Sequence, residues 1–240
     1  MPHYVPHFAF SEGALALREF NYEYWCENGR GPNLADVHEA LHLERRDIIQ
    51  LYKELALGIV CTIDPDSLNC PVLRFQPFAA FPTQVKAFVD GEFHSYCGCS
   101  MEAVAFSNMP PFKGRECRLE SYCMCCMEPI SFTAVDGKII EAPDSLLLHV
   151  STSPYDWYNN DLMIQCDSMN FVIDTDHAER FEREVCRRGV VYTLDQALTF
   201  VSNAVGERMW TRDRPSEQMD PAAVIDYVKT LGVDVTNWGG

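Results

Sequence analysis

Along the first third of the chain, apolar residues recur every three to four positions; through the middle they alternate or cluster in short β-branched runs. Asn33 precedes LADVHEALHL (34–43), where Leu34, Val37, Ala40 and Leu41 share one face, so the pattern predicts a capped helix. A second helix is predicted over 44–58, carried by Ile48, Leu51, Tyr52 and Leu55 and closed by Gly58. The preceding aromatic stretch FNYEYWCENGRGPN (20–33) reads as a loop. Strands predicted at 59–64 and 72–81, separated by a turn-rich segment, complete a helix, turn, helix, hairpin order with a winged-helix outline.

From Pro82 the pattern turns to strands. Residues 83–97 form a predicted hairpin about Asp90-Gly91, a favoured two-residue turn pair. Residues 100–109 are helical in character and stop at Pro110-Pro111. Strands follow at 117–125, 129–142 and 145–152, and the apolar run 161–174 reads as another. Two helices are then expected, one from Asp174 or Thr175 to Gly189 and one over 193–209 capped by Thr193. A polar tail over 212–220 leads to a last helix with Pro221 in its first turn. The fold class is therefore α+β: a winged-helix-like amino-terminal region (1–80), a core of antiparallel sheet flanked by helices (81–211) and a carboxy-terminal helical extension (212–240).

Composition narrows the function. With 240 residues, 47% of them hydrophobic, the chain has enough apolar material for a proper core. A formal charge of -16 argues against nucleic acid as a partner, and Glu44, Asp47 and Glu54 offset Arg45, Arg46 and Lys53 on the would-be recognition helix. No run of about 18 apolar residues exists to span a bilayer, and MPHYVPHFAFSEG lacks the pattern of a signal peptide. The expectation is a cytoplasmic protein with no membrane partner, whose eleven cysteines stay reduced and mostly serve as packing.

The candidate chemistry lies in YCGCSME (96–102), two thiols and a hydroxyl at a predicted strand-to-helix junction. Thiolates are soft ligands that select copper(I), zinc and, by the same logic, mercury. Successive cysteines in Cys97/Cys99 and in Cys123/Cys125/Cys126 do not have the two-residue separation of zinc pairs, so a structural zinc site is weakly supported. Cys97 falls at a helix start, where backbone N–H groups and the dipole are expected to lower its pKa. Ser100 in the same place also fits an ordinary N-cap.

Three blocks in register, EFHSYCGCSMEAVAF, RECRLESYCMCCMEPISFTA and DLMIQCDSMNFVIDTDHAERF, resemble the core of the organomercurial (alkylmercury) lyase family. In that family the first block carries an aromatic-Cys-x-x-Asp motif, matched here by Tyr96-Cys97 with Ser100 in the aspartate's place. The second block matches through Cys123 and Pro129-Ile130-Ser131, the third through Cys166 and Phe171.

The resemblance implies a protonolysis in which thiolates at Cys97 and Cys166 capture the mercury of R-Hg-X and a proton goes to the departing carbon. It implies a catalytic set of Cys97, Cys166 and Ser100, metal contact through Cys97, Cys166 and Cys99, a substrate pocket including Tyr96 and Phe171, and a structural Cys123. Because a serine hydroxyl is a poor acid, Cys99, Glu102 and Asp167 are the alternative proton donors or metal relays. Asp167 is disfavoured if its segment is a strand, since it would then face away from Cys166. Cys125 and Cys126 stand as packing or as a secondary thiol relay. The implied enzyme has no resident cofactor; its Hg(II) product is transient and passes to low-molecular-weight thiols or a mercuric reductase. Two other readings are a copper- or mercury-binding protein on the same scaffold and a relative acting on a non-mercurial carbon-heteroatom substrate.

Overall fold

The computed structural model describes residues 8–64, 66–69, 72–157, 162–202, 204–211 and 219–239. It is a mixed fold of helices and antiparallel sheet. Three helices come first: α1 (Glu12–Asn28), α2 (Leu34–Leu41) and α3 (Arg45–Leu57). Asn33 caps α2 through a reciprocal capping box with Asp36, as the sequence predicts.

The reading of 20–33 as a loop is corrected, because α1 runs through most of it. Ser11 accepts the N–H of Ala14 at one end, and Gly29, at φ 66, donates its N–H to Trp25 at the other. The helical face was hidden by two polar residues buried within it, Arg18 and Asn21. Asn21 is satisfied locally, donating to the Leu17 carbonyl at 2.8 Å and accepting the Tyr52 hydroxyl at 3.1 Å.

Strands β1 (Cys61–Ile63), β2 (Val72–Phe75), β3 (Phe78–Ala79), β4 (Lys86–Val89) and β5 (Glu92–Cys97) follow, then the short helix α4 (Ser100–Val104). Strands β6 (Cys117–Tyr122), β7 (Pro129–Val135) and β8 (Lys138–Glu141) complete an eight-stranded antiparallel sheet in the order β1-β2-β3-β5-β4-β6-β7-β8. Asp90 and Gly91, both at positive φ, make the predicted β4–β5 turn. The sheet joins the amino-terminal helices through aromatic contact: Trp25 stacks on Phe78 at 5.1 Å, and Phe78 meets Phe106 edge-on.

The second sheet is small, with β9 (Leu147–Val150) between β10 (Met169–Val172) and β11 (Val190–Thr193). Around it lie α5 (Leu162–Asp167), α6 (Thr175–Val185), α7 (Leu194–Val201) and, nearer the carboxy end, α8 (Pro221–Thr230). The run 161–174, expected as one strand, splits into α5 and β10; an apolar stretch without period does not distinguish the two states. The helix expected to reach Gly189 stops at Val185, where Cys186 turns left-handed, which frees 190–193 to pair with β9. The helix expected over 193–209 begins at its Thr193 cap but ends at Val201, and a 3-10 turn forms at Glu207–Trp210. Most of the tail expected over 212–220 lies outside the described residues. No helix among the described residues is long and apolar enough to cross a membrane.

Candidate active site

The site begins where β5 leaves the sheet. Cys97 lies opposite Phe78 on β3 and donates its N–H to the Val85 carbonyl at 3.0 Å. Gly98 then donates to the Pro77 carbonyl at 2.6 Å, turning the chain towards α4. The cap of α4 is Cys99, not Ser100: the Cys99 sulfur accepts the Glu102 N–H at 3.4 Å, so Cys99 and Glu102 are locked in one turn. Ser100 is the first helical residue, and its buried Oγ has no hydrogen-bond partner among the described residues.

Cys166 comes from the other side, near the end of α5. Its sulfur, the Cys99 sulfur and a Glu102 carboxylate oxygen all lie within 4.8 Å of one another, and all three residues are buried. Among the described residues, no other three His, Cys, Asp or Glu donors converge this closely. Met169, at the start of β10, adds a thioether 3.9 Å from the Cys99 sulfur. A side chain at Gly98 would collide with the Glu102 carboxylate, so the bare glycine backbone is what lets that carboxylate sit against the turn.

The electrostatics follow from burial. The Cys99 thiol is pushed well above its usual range by desolvation, then by its hydrogen bond with Cys166 and the negative charge of Glu102. Cys97 is also pushed up, by burial first and then by Glu102 and Cys117. The expected lowering at Cys97 is therefore corrected: the dipole of a five-residue helix is outweighed by removal of the thiol from water. Arg74 on β2, its side chain only 4% exposed, brings a cation to this neighbourhood. It pairs with Asp167 at 2.6 Å; burial works against its charge, but Cys166, Asp167 and Cys99 together more than offset that.

The remaining candidates lie around this cluster. Asp167 is helical rather than in a strand, so the alternation argument does not apply; its carboxylate is 64% exposed and turned to Arg74. Tyr96 packs edge-on against Phe93 at 5.4 Å, next to Cys97 in a strand where neighbours face opposite ways. Phe171 is buried in β10 against Phe132, and Cys123 is buried just past β6. Two buried sulfurs and a carboxylate at this spacing suit a soft two-coordinate ion beside a proton carrier.

A family model described as MerB, alkylmercury lyase, matches residues 78–206, more than half of the 240-residue chain. The chain belongs to the alkylmercury lyase family. The fold is also that of a solved structure described as the mercury-bound form of MerB2, with a TM-score of 0.66 at 16% identity, covering 84% of this chain and 93% of that one. No curated protein sequence matches the chain significantly.

Within an alkylmercury lyase frame, the first block admits two registers. Anchored on Cys97, the residue three positions on is Ser100; anchored on Cys99, it is Glu102, giving Cys-x-x-Glu. The geometry brings together the members of the second register with Cys166 and leaves Cys97 and Ser100 out of that group of donors. Arg74 escaped sequence reasoning altogether; the signal was a lone cation in the apolar strand segment VLRF.

Proposed function

We propose that this member of the alkylmercury lyase family cleaves a carbon–mercury bond by protonolysis, with Cys99 and Cys166 as the two sulfur ligands and Glu102 as the proton carrier. The observation that carries the reading is the convergence of these three buried donors within 4.8 Å. Cys97 and Ser100 are assigned to the frame that holds the turn, and Tyr96 and Phe171 to the surrounding wall.

The steps balance with these groups and solvent. A thiol displaces X⁻ from R-Hg-X, forming a sulfur–mercury bond, and its proton passes to the Glu102 carboxylate. The second thiol adds its sulfur to mercury, and its proton leaves with X⁻ to solvent. Two soft sulfurs raise the electron density on mercury and weaken its bond to carbon. Glu102 returns one proton to that carbon as the bond breaks, releasing R-H and leaving Hg(II) between two thiolates. Burial supports the sequence: the Cys99 thiol, held above its usual pKa, keeps its proton until mercury arrives, so the acid needed later is generated on site. Arg74 offsets the negative charge that develops on sulfur as each proton leaves, to the incoming mercury's advantage.

No resident cofactor is required, and the substrate is a small organomercurial. Hg(II) leaves to low-molecular-weight thiols or a mercuric reductase, in the cytoplasm. The region 1–80 is taken as a winged-helix-like lobe, 81–211 as the catalytic core and 212–240 as an extension. Family membership favours this reading over that of a pure metal-binding protein. The test is single-turnover release of benzene from phenylmercuric ion with excess small thiol. The wild type is expected to release one benzene per chain, and Cys166→Ser none. Full release by Cys166→Ser would reject the two-sulfur mechanism.

A further inference from the structure

The hairpin between β6 and β7 holds a sulfur cluster that the reaction does not use. Its loop reads Cys123-Met124-Cys125-Cys126-Met127-Glu128, following the last rung of the ladder, Tyr122 opposite Pro129. Counted between its outer members rather than successive ones, the loop contains a Cys-x-x-Cys spacing, Cys123 to Cys126. Cys123 donates its N–H to the Glu128 carbonyl at 2.8 Å and accepts the Met127 N–H at 2.8 Å, so the loop closes on itself. Met127 takes φ 64, which folds the chain back so that positions 123 and 126 share one closed turn and their thiols interact.

We infer that Cys123 and Cys126 form a second soft-metal site, distinct from the Cys99–Cys166 cluster, which takes a two-coordinate thiophilic cation such as Hg(II) or Cu(I). Two sulfurs meeting across a tight turn supply the linear coordination these ions accept, whereas zinc calls for four ligands. Binding of Hg(II) forms two sulfur–mercury bonds and releases two protons to solvent, so the product is neutral. That suits a site with one sulfur in the core and one at the surface: Cys123 is fully buried, Cys126 exposed. The exposed sulfur gives an incoming or departing thiol a place to attack.

The hairpin is tied to the core site. Met124 donates its N–H to the Phe171 carbonyl at 2.9 Å, on the strand that begins with Met169 beside Cys99. The second site is therefore placed to receive the metal product of the first. Only that source of the ion rests on the lyase reading; the site itself does not.

The test counts Hg(II) retained per chain after equilibration with mercuric chloride and gel filtration through buffer containing a small competing thiol, under reducing, anaerobic conditions. The wild type is expected to retain two ions and Cys126→Ser one, with Cys125→Ser retaining two. The double variant Cys99→Ser/Cys166→Ser is expected to hold one ion, lost when Cys126→Ser is added, with the sulfur-to-mercury absorption in the near ultraviolet lost in parallel. Equal retention by wild type and Cys126→Ser would overturn the proposal. Benzene release by Cys126→Ser reports on the lyase reading separately, and is expected to match the wild type.

Discussion

Two sulfur pairs in one chain, Cys99 with Cys166 and Cys123 with Cys126, differ in what surrounds them more than in what they are. The first pair is closed off from water, faces the carboxyl of Glu102 and has a buried cation, Arg74, at its edge. The second spans the protein surface, one thiol inside and one out, in a turn whose own backbone holds the sulfurs. Identical ligand atoms thus sit in different surroundings: burial pushes the Cys99 thiol above its usual range with a carboxyl in reach, while Cys126 lies open to solvent.

The contrast breaks first at the acid. Glu102→Gln keeps the shape and loses the transferable proton, so single-turnover benzene release should fall by about 10²- to 10⁴-fold while mercury retention stays at the wild-type level. Loss of both together would mean that Glu102 holds the site's structure rather than the proton. A smaller effect is expected from Gly98→Ala, whose new methyl group must push the Glu102 carboxylate aside. A displacement on the order of 1 Å predicts a loss of up to about 100-fold in release, read from the same assay, with the hairpin site unaffected.

Arg74 sharpens the comparison further, since it serves the core pair alone. Asp167→Asn removes its ion-pair partner, and because that carboxylate is largely exposed the cost should be only about 1 kcal/mol, measured from the urea midpoint. The smallest effect tests burial itself. His94 and His149 are both held below the usual imidazole range, chiefly because burial disfavours the charged form. Their folded pKa values lie under the unfolded value of about 6.5, so the unfolded chain binds more protons and stability falls as pH drops below that point. Urea midpoints should be level between about pH 7 and pH 8 and decline towards pH 5, and His149→Gln should flatten part of that decline.

Much of this arrangement was legible in the sequence where a local rule acts alone. Asn33 and Thr193 cap the helices they precede, and Asp90-Gly91 turns the hairpin that delivers the cysteines. What escaped was decided by distant partners. Arg18 and Asn21 look like surface residues until Thr211 and Tyr52 are brought to them, so the helical face of α1 is masked and its part from Phe20 on reads as a loop. The helix α5 and strand β10 lie in one run of apolar residues whose polar interruptions have no clean period, and only packing separates them. In YCGCSME the spacing shows two thiols, but which one caps α4 and meets Cys166 depends on the Gly98 turn, which sequence alone does not orient.

The register is the central claim, and the most direct measurement sets Cys97→Ser against Cys99→Ser in single-turnover benzene release from phenylmercuric ion. The account predicts that Cys97→Ser, once folded, releases benzene within about tenfold of wild type and that Cys99→Ser releases none above the uncatalysed background. Release by Cys99→Ser with none from a folded Cys97→Ser would contradict it, moving the motif back by two residues and the proton away from Glu102.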